Sequence, residues 1–137
     1  MTKPITVAGV CFLSREHILL VRKRGTALFM LPGGKPEPAE SIYATAVREC
    51  QEELNVALGD DALRFFARWM APAANEAGRL IDATVFVCER AIEPQRGAEI
   101  GELRWVSLDR ATDLPLAPLL ATYVLPALTR IQPRKVG

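Results

Sequence analysis

Gly33-Gly34-Lys35-Pro36-Glu37-Pro38-Ala39-Glu40-Ser41-Ile42-Tyr43-Ala44-Thr45-Ala46-Val47-Arg48-Glu49-Cys50-Gln51-Glu52-Glu53-Leu54-Asn55-Val56 is the stretch that decides how this chain is read. A glycine turn follows Leu31-Pro32, and the residues after it carry helical periodicity. Pro38 lies just outside the expected helix, and Ser41 is the expected N-cap, a hydroxyl placed to accept from an otherwise orphaned backbone N–H. Tyr43, Ala46, Val47, Cys50 and Leu54 fall at i, i+3, i+4, i+7 and i+11, one continuous apolar stripe. Glu49, Glu52 and Glu53 fall at i, i+3 and i+4, in a sector roughly 100° wide beside that stripe. Three carboxylates therefore aim at one small volume.

Such a cluster is unfavourable on its own. Like charges at these spacings repel by roughly 0.2–0.5 kcal/mol per pair on an exposed helix. The repulsion grows where water is excluded. Arg48 can pair with Glu52 at i+4, but one guanidinium does not neutralise three acids. Oxygen-only ligands select hard divalent cations such as magnesium, manganese or calcium over zinc. On the spacing alone, the competing reading is a solvated acidic face on an ordinary amphipathic helix.

The longer pattern resembles the Nudix box, the signature of the Nudix hydrolase family. In G-x5-E-x7-R-E-U-x-E-E-x-G-U, with U apolar, eight of the nine specified positions are met by Gly34, Glu40, Arg48, Glu49, Cys50, Glu52, Glu53 and Val56. Asn55 stands where the family has glycine. That position ends a helix, where a left-handed backbone is usual, and Asn is the non-glycine residue that tolerates it best.

What the resemblance implies is specific. The fold is an α/β/α sandwich with a mixed β-sheet. The activity is that of a pyrophosphohydrolase cleaving a phosphoanhydride bond of a nucleoside diphosphate linked to another group. Nucleoside triphosphates and nucleotide sugars such as ADP-ribose are both open as substrates. The cofactor is Mg2+, with Mn2+ as a substitute, and the ligands are Glu49, Glu52, Glu53 and the Gly33 carbonyl. Lys35 contacts substrate, Arg48 orients a glutamate, and Glu40 pins the loop or supports the ligands from behind. The general base is Glu49 or Glu52, or an acid from the segment leading to Trp105, where Glu99 and Glu102 are the alternatives. A Nudix-fold sensor that binds a nucleotide without cleaving it is the alternative function. Family members often dimerise, so a homodimer is open.

Bulk properties bound the rest. At 137 residues, the chain reads as a single domain spanning 1–137, long enough for a real core. A net charge of +1 gives no support for a polyanion-binding coat, so no general nucleic-acid binding is expected. No apolar run approaches the ~20 residues that span a bilayer, and the start lacks the apolar segment of a signal peptide. Cys11, Cys50 and Cys88 show no C-x-x-C spacing; free, buried thiols in a reducing cytoplasm are expected.

Outward from the decisive stretch, residues 5–13 and 17–21 read as strands joined by Ser14-Arg15-Glu16, with His17, the only histidine, as a surface turn residue. Arg22-Lys23-Arg24 is either a charged strand end or, through Arg22 and Arg24, a clamp on substrate phosphates. A phosphate-loop reading of Gly34-Lys35 fails, because Phe29 and Pro36 occupy its glycine and hydroxyl positions. Residues 63–71 and 80–88 read as a further strand pair, joined by a small-residue loop at 72–78 of the kind that shapes pockets. Phe65, Phe66 and Trp69 on the first of these are core or, alternatively, a surface for stacking a base. Residues 91–97 read as an irregular loop, and 117–131 as a packed helix kinked near Pro126, before a frayed tail at 132–137. This alternation of strands and helices itself indicates an α/β domain with a mixed sheet between helices.

Overall fold

The computed structural model describes residues 2–131, so the tail at 132–137 lies outside the described residues. Strands β1 (Ile5–Ser14) and β2 (His17–Lys23) form a hairpin with Leu13 opposite Ile18 and Ser14 opposite His17. The link is the pair Arg15-Glu16, both at positive φ (48° and 65°). That is the two-residue turn whose twist matches the flanking strands. His17 is the exposed first residue of β2, directly after this turn, with its Nδ1 2.9 Å from the Arg15 carbonyl oxygen.

Short strands β3 (Phe29–Met30) and β4 (Gly33–Gly34) precede helix α1 (Ile42–Leu54). Strands β5 (Arg64–Pro72) and β6 (Leu80–Cys88) pair antiparallel, and β7 (Ile100–Ser107) follows them. The sheet order is β3-β2-β1-β6-β5, with β4 added on β1 and β7 on β2. β1 runs parallel to β6, from Ile5 opposite Ile81 to Phe12 opposite Cys88, while the other strand pairs are antiparallel. The sheet is mixed, as expected.

Because successive side chains point to opposite faces, β1 serves two cores. Val10 and Phe12 pack with Ala46, Cys50 and Leu54 of α1, the central residues of the apolar stripe. Cys11 and Leu13 pack on the other face with Leu120, Val124 and Leu128 of the C-terminal helix. Helices thus cover both sides, which is the α/β/α sandwich.

The C-terminal helix opens with a π-helical turn, Leu119–Val124, and continues as α2 (Leu125–Ile131). Pro126 has no N–H for the carbonyl four residues earlier and its ring crowds that carbonyl. The widened turn just before it takes up the mismatch. The three aromatics of β5 divide at a bulge between Phe65 and Ala67. Phe66 meets Trp69 edge-on at 5.8 Å, and Trp69 stacks on Tyr123 at 6.0 Å, beneath the C-terminal helix. Phe65 is 61% exposed. Cys11, Cys50 and Cys88 are free and buried. Among the described residues, no helix is long and apolar enough to cross a membrane.

Candidate active site

The N-terminal end of α1 is built as its sequence dictates. The Ser41 Oγ accepts from the Ala44 N–H at 3.1 Å. At the other end Asn55 adopts the left-handed conformation (φ 55°, ψ 36°), and its N–H returns to the carbonyls of Cys50 and Gln51. The helix places Glu49, Glu52 and Glu53 as their spacing requires, but their surroundings differ sharply. Glu52 is exposed, Glu49 is largely covered, and Glu53 is buried at 5% exposure.

Two glycines make that burial possible. Gly33 has φ 153°, and a Cβ there would lie 1.9 Å from the Ala8 carbonyl oxygen of the adjoining strand. Its N–H donates to Glu53 Oε1 at 3.1 Å. A Cβ on Gly34 would fall 1.5 Å from Glu49 Oε2, so the absent side chain is the space that the Glu49 carboxylate occupies. Glycine is required here because backbone and carboxylate approach each other closely.

Arg48 is the organising cation. Its Nε and Nη2 donate to the two oxygens of Glu40 at 2.8 and 2.9 Å, and Nη2 also reaches the Lys35 carbonyl at 2.9 Å. Nη1 lies 3.2 Å from Glu49 and 3.3 Å from Glu52, and Nε lies 3.4 Å from Glu37. The planar fork suits such bidentate work in a way that a lysine ammonium does not. Glu40 also accepts from the Glu37 N–H at 3.0 Å and from the Thr45 hydroxyl at 2.8 Å. Arg48 first, and these bonds after it, hold the Glu40 carboxyl down at about 2. Glu40 therefore pins the 35–40 loop to the helix. Thr45, buried on α1, is a support that the sequence reading missed; its signal was a hydroxyl four residues after the N-cap.

The remaining acids are frustrated. Burial first, and the close Glu52 and Glu53 carboxylates next, raise the Glu49 carboxyl above its ordinary range. Burial pushes Glu53 up to about 7, opposed by the Gly33 N–H and, at longer range, by Lys23. Among the described residues Glu53 has no ion-pair partner. Nor do any three His, Cys, Asp or Glu side chains among them already gather on one ion-sized point. What is present is a set of hard oxygen donors, partly withdrawn from water and short of positive charge. That chemistry fits a divalent cation such as magnesium or manganese and not a soft metal.

The structure also sorts the acids that precede Trp105. Glu99 lies close enough to Glu53 for its charge to raise the Glu53 carboxyl further. Glu102 sits on β7 opposite Arg22, 3.6 Å from its Nε and paired with Arg104, so it is engaged on the sheet instead. Arg22 Nη1 donates to the Thr26 carbonyl at 2.9 Å and Arg24 Nε to the Ala98 carbonyl at 3.0 Å. Both arginines hold loops and neither lines the cavity beside the site; Lys23 does. Strand alternation, which separates Lys23 from its two neighbours, is the signal that would have found it.

That cavity, about 400 Å³, carries Glu49, Gly33, Gly34, Lys35 and Lys23 on its polar side. Aliphatic residues, Val7, Leu31, Ile81, Leu119 and Leu120 among them, line the remainder. The 72–78 loop contributes its residues from Pro72 to Glu76, and Glu76 Oε1 lies 3.2 Å from Lys35 Nζ. Among the described residues no aromatic ring lines it, so Phe65, Phe66 and Trp69 offer no stacking surface there.

A mixed sheet between two helical layers, with an acid-bearing helix packed against a glycine loop beside a cavity, suits a phosphoanhydride hydrolase. The comparisons agree. A family model described as NUDIX domain matches residues 2–127, and the chain belongs to that family. It is a hydrolase acting on diphosphate bonds. The chain is similar to the MutT Nudix hydrolase from Burkholderia pseudomallei, at 25% identity and TM-score 0.72, covering 90% of this chain and 96% of that one. It is also similar to the ORF135 protein of E. coli, at 26% identity and TM-score 0.76, covering 96% and 93%. The NUDIX domain of Shewanella oneidensis NrtR, solved with ADP ribose, shares the fold at 17% identity and TM-score 0.75, covering 96% and 90%.

Proposed function

We propose that this protein is a magnesium-dependent pyrophosphohydrolase of nucleoside diphosphates linked to a further group, with manganese as a working substitute. The observation that carries the reading is the placement of Glu49, Gly33 and Gly34 on the wall of a cavity that also holds Lys23 and Lys35, with Glu53 held behind that wall by the Gly33 N–H. Glu49, Glu52 and Glu53, helped by the Gly33 carbonyl and by Glu99, would hold the ions. Divalent cations there would screen the diphosphate charge and acidify the attacking water.

The chain's own residues do the remaining work. Arg48 holds Glu49 and Glu52 in orientation, and Glu40 locks Arg48 and the 35–40 loop. Lys35 and Lys23 present ammonium groups on the side where phosphate oxygens would lie. The proton of the attacking water goes to a carboxylate, with Glu49, Glu52 and Glu99 as the candidates. The aliphatic part of the cavity receives the nucleoside portion or the group attached to it, and the ADP ribose bound by the NrtR domain supports a substrate of that size.

The test is a hydrolysis screen over nucleoside triphosphates, nucleotide sugars and dinucleotides with Mg2+, identifying products to show which bond broke. Metal-dependent release with at least one substrate is expected. Glu49→Gln, Glu52→Gln and Glu53→Gln should each lower it by about 100-fold or more with folding intact, the scale on which preorganised charge acts in such sites. Full turnover in all three variants would refute the site, and tight nucleotide binding with no release would favour a sensor.

A further inference from the structure

The 89–99 loop between β6 and β7 is irregular, yet it is fastened to the acid-bearing helix. The last turn of any helix leaves carbonyls without intrahelical partners. In α1 this loop supplies two of the missing donors: the Gly97 N–H reaches the Glu53 carbonyl at 2.8 Å, and the Gln95 N–H reaches the Leu54 carbonyl at 2.7 Å. The approach leaves no room for a side chain. A Cβ on Gly97 would lie 2.3 Å from the Glu52 carbonyl oxygen and 3.2 Å from that of Glu53. Gly97 does not have a positive φ, so space alone excludes a larger residue. The carbonyls it touches belong to residues that carry the proposed metal ligands. They cannot give way without moving the carboxylates.

The loop is clamped from its other side by the end of β2. The Arg24 N–H donates to the Glu99 carbonyl at 2.9 Å, and Arg24 Nε donates to the Ala98 carbonyl at 3.0 Å. Glu99 is therefore fixed by backbone contacts on both sides, immediately before β7 begins at Ile100.

We propose that Gly97 is a positioning residue: its missing side chain lets the loop dock on the Glu52 and Glu53 carbonyls, and this docking, with the Arg24 anchor, delivers Glu99 to the α1 carboxylates. The inference rests on the hydrolase reading of that cluster. Gly97 touches no substrate; it acts through Glu99 and through the helix turn beneath it.

A double-mutant cycle in the full chain tests it, comparing the parent, Gly97→Ala, Glu99→Gln and the pair. Each is measured by steady-state Mg2+-dependent hydrolysis and by calorimetric titration with Mn2+. Gly97→Ala should lower kcat by about 10- to 100-fold, with a similar loss of Mn2+ affinity, the range for residues that orient ligands from behind. KM should stay within about 3-fold. In the Glu99→Gln background the same alanine should cost at least about 3-fold less than in the parent, because the share of its effect that runs through Glu99 is already lost and only the share through the helix turn remains. Arg24→Met adds no bulk, removes the Nε bond to the Ala98 carbonyl and leaves the backbone bond to Glu99, so it gives the same pattern at a smaller loss, about 3- to 10-fold in kcat, and replaces Gly97→Ala if that chain fails to fold. Equal losses in both backgrounds, or Arg24→Met raising KM with kcat intact, overturn the positioning role while an active parent keeps the hydrolase reading. A parent inert toward every nucleotide overturns both.

Discussion

Replacing Glu53 by glutamine should stabilise the metal-free protein, and by an amount that depends on pH. Burial raises the Glu53 carboxyl from 4.5 to about 7 in the folded chain. Each pH unit by which folding displaces a titration corresponds to about 1.4 kcal/mol. A raised folded-state value means that the contribution to stability is complete below about 4.5 and is lost as pH rises through about 7. At pH 8 the parent therefore carries a penalty of about 3 kcal/mol for its ionised, buried carboxylate, and at pH 5 a penalty below about 1 kcal/mol. Glu53→Gln keeps an oxygen to accept from the Gly33 N–H and cannot ionise.

The amide group of the glutamine introduces its own cost, since a buried NH2 needs a partner. That cost does not titrate, so the difference between the two pH values isolates the charge. Relative to the parent, the variant should gain about 2–3 kcal/mol between pH 5 and pH 8. For a chain of this size that corresponds to roughly 10 °C in Tm. Thermal melts followed by circular dichroism, with a chelator and constant ionic strength, give the number directly. A Tm difference that stays flat from pH 5 to pH 8 would show that Glu53 is not held in water-poor surroundings. Adding Mg2+ should then raise the parent Tm and leave the variant nearly unmoved, because a ligand that binds only the folded state stabilises by mass action.

Three further outcomes follow from the same geometry. Gly34→Ala puts a Cβ where Glu49 Oε2 lies, so hydrolysis should fall by about 100-fold in an otherwise folded chain; near-parental kcat would mean that Glu49 is elsewhere in the working state. Asn55→Val should cost about 1–2 kcal/mol by urea unfolding, and Asn55→Gly well under 1, because only the β-branched residue resists the left-handed turn. The thiols of Cys11, Cys50 and Cys88 should resist a disulfide reagent in the native chain and all react in urea, since burial raises Cys11 and Cys50 far above the reactive range; rapid labelling of Cys50 in the folded chain would contradict its packing.

What the sequence disclosed was whatever depends on neighbours along the chain. The helix at Ile42–Leu54, its Ser41 cap, its left-handed stop at Asn55 and the strand pairs all follow from patterns a few residues long. The layering of helices on both sides of the sheet was legible as well, from the alternation of strands and helices along the chain; that β1 serves both cores is what the structure adds. Choices that depend on distant register stayed closed. Glu99 and Glu102 differ by three positions, yet the pairing of β2 with β7 sets Glu102 opposite Arg22 and leaves Glu99 at the helix end. Likewise, contacts with Thr26 and Ala98 occupy Arg22 and Arg24, which leaves Lys23, of these three, to join Lys35 at the cavity. A helical wheel sets Glu53 beside the apolar stripe and Glu52 opposite it, but it does not say that Glu53 is sealed from water; that requires Gly33 and β1 to close over it.

The distribution of charge is where fold and chemistry meet. Position 53 borders the stripe formed by Cys50 and Leu54, and an apolar residue there would extend the core beneath α1 without any ionisation penalty. Arg48 is already divided among Glu37, Glu40, Glu49 and Glu52, so its charge does not cover Glu53. The Gly33 N–H contributes only a dipole, and Lys23 acts at a distance. The shortage of positive charge is thus local, and it sits directly behind the cavity wall formed by the glycine loop and Glu49. A fold that spends stability at that one place, while satisfying Glu40 completely at the opposite end of α1, suits the cation and the polyanionic substrate proposed for it.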